Sequence, residues 1–232
     1  MRAVLRWLFW YPLLVALIAL VVLQFWFVVH IAYWGSHDPE TTAFMRARLE
    51  AMREENPAAR LSQTWVPYSR ISANLKRAVV ASEDAKFMTH RGFDWEAIDK
   101  ARKRNLLEGE IVHGGSTITQ QLAKNLFLSG ERAWWRKAQE AVITAMLETV
   151  LTKRRILEIY LNVIEWGDGI FGAEAAARYH FGVPAANLTP EQAARLAVII
   201  PSPRRYGPGR VTPYLAQRTE TILARMGSAQ VP

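Results

Sequence analysis

Thr117, Gln121, Lys124 and Asn125 stand at i, i+4, i+7 and i+8, which is one face of a helix. A core-facing stripe at that spacing would be apolar. This one carries a hydroxyl, two amides and an ammonium, a surface suited to grip a polar, anionic ligand. Gly114-Gly115-Ser116 precede it, and a Gly-rich loop running into a helix N-terminus presents free N–H groups and the positive end of the helix dipole to an anion. The same residues also suit a plain Gly-Gly turn into a capped, solvated helix, with Thr117 as N-cap and Gln120 at the third helical position.

A second candidate group lies upstream. Helical periodicity over residues 75–90, closed by Gly92, puts Glu83, Phe87 and His90 on one face, with Asp84 beside it. A carboxylate on such a partly apolar face is a candidate general base. The alternative is a half-exposed Glu near a helix end and a satisfied core His. Downstream, Arg136 and Glu140 form an i,i+4 pair at the start of a largely apolar helix running to about Leu151. As an exposed pair it contributes only about 0.3–0.5 kcal/mol, but its place at the end of a core element makes a functional cluster plausible.

The elements around these groups are mostly helical. Residues 153–162 read as a packing helix that opens with the cations Lys153, Arg154 and Arg155, which can simply face water. Residues 166–172 read as a Gly-rich loop, and residues 173–181 as an Ala-rich helix ended by Gly182. Thr189-Pro190-Glu191-Gln192 is a capping box with Pro at the first helical position. Pro201, Pro203 and Pro208 stiffen the following loop. Thr212-Pro213 starts a last helix, stopped at Gly227. No alternation is long enough for a sizeable sheet, so the expected class is all-α.

The 232 residues allow one sizeable domain plus extras. Cysteine is absent, which excludes disulfides, thiolate metal sites and a cysteine nucleophile. The formal net charge of +8 suits nucleic acid, anionic lipid or a phosphorylated substrate. The N-terminus narrows that choice. Residues 7–29 carry no charge and as a helix span roughly 35 Å, against about 30 Å of hydrocarbon. Arg2 and Arg6 precede the run, and Asp38 and Glu40 follow it, so the positive-inside rule puts the N-terminus in the cytoplasm and the rest outside. A cleaved signal or a buried core helix are the alternatives. An exported domain has little reason to bind nucleic acid, and a lipid-borne anion ranks above it. The expected organisation is a cytoplasmic start and anchor over residues 1–35, a connector over 36–60, in which residues 41–55 can form a polar, mixed-charge helix ended by Asn56-Pro57, and one domain over 61–232. The basic residues Lys100, Arg102, Lys103 and Arg104 read as a solvated face, or one meeting headgroups. Leu126-Phe127-Leu128 and Trp134-Trp135 read as core, or as a surface dipping into the bilayer.

Four motifs in order, over about residues 65–206, resemble the monofunctional biosynthetic peptidoglycan glycosyltransferases, cell-wall transglycosylases with a lysozyme-like fold. They are Glu83-Asp84-Ala85-Lys86-Phe87-Met88-Thr89-His90-Arg91-Gly92, the stretch from 114 to 125, Arg136-Lys137-Ala138-Gln139-Glu140, and Lys153 with Ile156-Leu157-Glu158-Ile159-Tyr160-Leu161-Asn162. The resemblance implies a mainly α fold behind one transmembrane helix, without the transpeptidase domain of bifunctional relatives. It implies polymerisation of lipid II onto a lipid-linked glycan, with inversion and release of undecaprenyl pyrophosphate. Glu83 matches the family's general base. Glu140 matches a second carboxylate, read as orienting Arg136 or the donor. Lys124 and Arg136 match cations on the donor pyrophosphate, and Thr117, Gln121 and Asn125 match donor sugar and phosphate contacts. Ser116, Asp84, His90 and Lys153 are counted with the substrate-binding residues. No cofactor is required on this reading; a divalent cation, Mg2+ or Mn2+, bridging the pyrophosphate near Asp84 is the one candidate. Lipid II, the growing glycan and the membrane are the implied partners, with other cell-wall synthesis or division proteins as candidates and no nucleic acid. The rival classes are a lysozyme-like glycan-cleaving enzyme and a non-catalytic anchored scaffold of wall assembly.

Overall fold

A computed structural model describes residues 2–108, 115–128, 134–210 and 212–232. Gly114, and residues 129–133 of the expected membrane-facing stretch, lie outside the described residues.

Helix α1 (Arg2–Tyr33) contains the one segment among the described residues long and apolar enough to cross a membrane, Trp10–Tyr33, with mean hydropathy 2.7. Most of its large side chains from Trp10 to Trp26 are exposed. Its C-terminal end is docked instead: Phe27 and Ile31 are buried. Gln24 exchanges amide hydrogen bonds with Gln139 at 3.1–3.2 Å. The rings of Trp26, Phe27 and Trp34 surround Phe127.

Within the expected connector, the helix read over 41–55 is α2 (Ala43–Glu55), ended at Asn56. Thr42 caps it by accepting from Met45 N at 3.0 Å, and Met45 is buried against the core, so this is a packed element that lies against α5.

Helix α3 (Ala73–Glu83) starts at Ser72, whose hydroxyl accepts from Leu75 N, and ends at Asp84. The helix expected over 75–90 is therefore shorter. Asp84 leaves helical geometry (φ −162°, ψ 73°) and sends its carboxylate to another helix. Phe87 turns into the core, fully buried, and Glu83, Phe87 and His90 do not share a helix face. Helix α4 (Trp95–Glu108) is the basic stretch. Lys100 and Lys103 pair with Glu96 and Asp99 of their own helix, as a solvated face does, while Trp95, Leu106 and Leu107 are exposed.

Helices α5 (Ile118–Phe127), α6 (Trp134–Val150) and α7 (Lys153–Val163) pack together. Leu126 and Leu128 belong to the core, as the plainer reading had it, while Trp134 and Trp135 stand exposed. The loop expected over 166–172 is a hairpin of β2 (Glu165–Gly167) and β3 (Ile170–Phe171). Strand β1 (Ser62–Gln63) adds in parallel to β3, giving the order β1-β3-β2. These strands are too short to leave an alternating signal in the sequence.

Helix α8 (Ala173–Phe181) ends on Gly182 in the left-handed region (φ 71°). Helix α9 (Pro190–Ile199) opens with the Thr189–Gln192 capping box and Pro190, and α10 (Pro213–Met226) with Thr212. Helices α3, α9 and α10 pack on one another. The molecule is mainly helical with one N-terminal apolar helix, as the sequence led us to expect.

The segment after β1 is strapped to α7 by Asn162, fully buried. Its Oδ1 accepts from Val66 N at 2.9 Å, and its Nδ2 donates to Val66 O and Glu158 O at 3.0 and 2.8 Å. Asn162→Ala strands both polar groups of Val66. At about 1–3 kcal/mol for each buried group left unpaired, we expect a loss of about 2–6 kcal/mol, read as a lower midpoint in chemical denaturation. A midpoint equal to wild type would refute the strap.

Candidate active site

A cleft of about 1280 Å³ opens beside the end of α3. Glu83 lines it, with Ser116, Gln120, Gln121, Lys124 and Asn125 from the second motif and Arg136, Lys137 and Glu140 from the first two turns of α6. Phe44, Leu128, Trp134, Ile164, Glu165 and the loop from Ile200 to Arg205 complete the lining.

Glu83 is partly buried. Gln121 Nε2 donates to its Oε2 at 2.9 Å, and Ser82 Oγ to its Oε1 at 3.2 Å. Desolvation raises its pKa above the ordinary 4.5, against those two hydrogen bonds and the positive charge of Arg218, which pull it down; Asp84 pushes it further up. Lys124 is exposed in the cleft. Asn125 is buried and donates to Gln121 O at 2.8 Å, an i−4 bond that fixes it on the same face. Glu140 is 8% exposed and paired with Lys137.

Thr117, Asp84, His90 and Lys153 are not in the cleft lining. The positive end of α5 is occupied by the protein's own anion. Asp84 Oδ2 accepts from Ile118 N at 3.0 Å and Oδ1 meets His90 Nε2 at 2.7 Å. Gly92 N donates to His90 Nδ1 at 3.1 Å, so Nε2 carries the proton and is the donor to Asp84. Thr117 caps α5 in a full capping box with Gln120 and donates its hydroxyl to Gly92 O at 2.7 Å. Gly92 needs its glycine: φ is +87°, and a Cβ there would lie 2.7 Å from Thr144 Cγ2. Lys153 Nζ donates to Glu148 Oε1 at 2.8 Å, which also accepts from Thr119 Oγ1 at 2.5 Å, and it lies 4.5 Å from the Phe87 ring centroid. These four residues build the frame behind the cleft.

The transglycosylase family model matches residues 50–227. The chain is 56% identical over 227 residues to the biosynthetic peptidoglycan transglycosylase of Nitrosospira multiformis, covering 98% of each chain. It is 57% identical over 225 residues to that of Methylobacillus flagellatus, covering 97% of this chain and 98% of the relative. It is 55% identical over 232 residues to that of Azoarcus sp., covering both chains fully. The chain belongs to the transglycosylase family. The helical domain is accordingly the family's lysozyme-like fold.

Some cleft residues of this transglycosylase domain escaped the sequence reading. Arg204 and Arg205 follow Pro201 and Pro203, and those prolines mark only a rigid loop; two adjacent arginines in that stiff loop are the signal the sequence offers. Glu165 is 6% exposed and accepts from Arg48 Nε at 3.2 Å and Gly169 N at 3.1 Å. Desolvation raises its pKa, opposed by the Gly169 bond and by Arg48. A buried Glu in a two-strand hairpin leaves no pattern to find. Near Asp84, where a divalent ion was expected, each carboxylate oxygen already accepts one hydrogen bond, from Ile118 N and from His90, and no cluster of three His, Asp or Glu suited to a metal occurs among the described residues.

Because its folded pKa is raised, Glu83 holds its proton more tightly in the folded chain than in the unfolded one. Below pH 4.5 both states are protonated and there is no penalty. As pH rises through the folded pKa the fold loses stability. Glu83→Gln should therefore melt like wild type at pH 4 and at higher temperature than wild type at pH 8. A melting difference that does not change with pH would refute the raised pKa.

Proposed function

We propose that this transglycosylase extends a lipid-linked glycan strand with lipid II. The acceptor 4-hydroxyl loses its proton to the Glu83 carboxylate while its oxygen bonds to the donor anomeric carbon. The bond from that carbon to pyrophosphate breaks, undecaprenyl pyrophosphate leaves with the electron pair, and the configuration inverts from α to β. Pyrophosphate needs no proton to leave. Cations that neutralise its developing charge replace a general acid. Lys124 and Arg136 take that role, Gln121 and Asn125 hold donor groups, and Glu140 keeps Lys137 directed along the cleft. The names of the close relatives support the substrate class. The observation that carries the reading is one cleft holding a carboxylate with a raised pKa together with Lys124, Arg136, Lys137, Arg204 and Arg205. A finished glycan has no phosphate for those cations to meet, which disfavours the glycan-cleaving alternative.

Incubation with labelled lipid II tests this. Wild type should give polymer. Glu83→Gln should lose the 10²–10⁴-fold that general-base catalysis supplies, or more. Lys124→Ala and Arg136→Ala should each lose about 10- to 150-fold, the worth of a charge-assisted contact of about 1.5–3 kcal/mol. Arg136→Lys should rescue only partly, since the planar fork is gone. A wild type that cut preformed glycan and failed to extend lipid II would overturn the reading.

We further propose a single-pass placement in the bacterial inner membrane, with Arg2 and Arg6 cytoplasmic and the catalytic domain outside. Reporter fusions after Gly35 should be active only in their exported form; activity only in a cytoplasmic reporter would reverse the topology.

A further inference from the structure

Tyr160 lies in the middle of α7 with no solvent exposure. Its hydroxyl donates to Gln121 Oε1 at 2.8 Å, and Gln121 Nε2 donates to Glu83 Oε2 at 2.9 Å. The three side chains form one hydrogen-bonded line from the core of the domain to the cleft.

A glutamine amide has one accepting end and one donating end, and an ionised carboxylate only accepts. With Glu83 ionised, the Gln121 NH2 must face it, and the amide oxygen must point away. That oxygen needs a donor in a buried place, and Tyr160 is the donor supplied. If the amide turned over, its oxygen would oppose the Glu83 carboxylate. We propose that Tyr160 is a positioning residue for glycosyl transfer: its hydroxyl fixes the Gln121 amide with the NH2 toward Glu83, and so holds Glu83 in the ionised form that can take a proton. The inference rests on the base role of Glu83.

The phenol is well suited to the task. Desolvation, with the nearby charges of Glu83 and Asp84, pushes its pKa well above 10, so it remains a donor throughout the working range. The arrangement also answers the proton. Once Glu83 carries the acceptor's proton it becomes a donor itself, and the amide is free to turn, with its oxygen to Glu83 and its NH2 to the Tyr160 oxygen, which can accept. Tyr160 thus favours the state before proton transfer and leaves a satisfied state after it. The charged groups acting on Glu83 are Asp84 beside it and Arg218 of α10. Removing the Tyr160 hydroxyl changes neither.

The test is the pH profile of lipid II polymerisation by the full chain, with kcat and KM resolved. Tyr160→Phe should move the acid limb of kcat to higher pH by about 0.5–1 unit, the worth of one net hydrogen bond. KM for lipid II should stay within about twofold and kcat should recover toward wild type at high pH. Replacing Tyr160 with 3-fluorotyrosine strengthens the donor with little change in shape, and should move the limb to lower pH. It serves as the deciding variant if Tyr160→Phe melts too low to assay. A fall in kcat equal at every pH, or a limb unmoved in the variant that folds, overturns the inference. The underlying base role fails separately: a Glu83→Gln enzyme that polymerises normally would remove it whatever Tyr160 does.

Discussion

The geometry of the cleft depends on one buried carboxylate, that of Asp84. A buried charge is tolerated only when its hydrogen bonds are made, and Asp84 has two donors, Ile118 N and His90 Nε2. Each donor is itself fixed. Ile118 follows the Thr117 cap, Thr117 donates to Gly92 O, and Gly92 N holds the far nitrogen of His90. The ring of contacts closes on itself and joins the end of α3 to the start of α5. Because Glu83 is the residue before Asp84, this junction also sets Glu83 against Gln121, one turn into α5.

Two adjacent carboxylates thereby acquire different work from their surroundings. Asp84 sits at the positive end of a helix and holds the frame together through Ile118 N and His90 Nε2. Glu83 has two side-chain donors, a half-buried place and an open side toward the cleft. Desolvation makes it hold a proton more readily, while Gln121, Ser82 and Arg218 keep the ionised form within reach. A group poised in this way suits a base that must accept a proton in one step and release it before the next. On the proposed mechanism the cations lining the same cleft act on the other half of the reaction, where negative charge gathers on the leaving pyrophosphate.

Much of this was legible in the sequence. The helix starts at Thr117, Thr189 and Thr212 were readable from their caps, which are local signals, and Thr42, Ser72 and Thr152 cap helices in the same way. The apolar run of α1 was legible for the same reason. The face of Gln121, Lys124 and Asn125 was also readable, because helical spacing alone puts them together. What failed was whatever tertiary contact decides. Periodicity continued through Asp84 because Val80, Phe87 and His90 keep a helical spacing, yet the helix stops where the Asp84 carboxylate finds better partners on α5. Thr117 had the right spacing for the ligand face, and its hydroxyl is used instead by the cap and by Gly92. At the α5 N-terminus, where the sequence suggested a ligand anion, Ile118 N donates to the Asp84 carboxylate. Glu165, Arg204 and Arg205 reach the cleft through a hairpin and a proline-stiffened loop, and no single-element pattern reports such a meeting.

The apolar helix is also packed against the catalytic domain. Its docked end touches both helices that carry the cleft cations. Trp26, Phe27 and Trp34 enclose Phe127, three residues beyond Lys124 on α5, and Gln24 pairs with Gln139, three residues beyond Arg136 on α6. Aromatic packing of this kind supplies attraction but tolerates sliding. The amide pair does not, because each Gln is satisfied in both senses only when the two lie directly opposite, and an unpaired amide beside an apolar helix is costly. The pair is worth only about 1 kcal/mol in stability, so its weight lies in register. It fixes how far along α1 the α5–α6 edge sits. On the proposed placement, α1 is also the ruler of depth in the bilayer, and the pyrophosphate of a lipid-borne substrate lies at the headgroup level. On the same proposal, a register set on α1 sets the height at which Lys124 and Arg136 would meet that pyrophosphate.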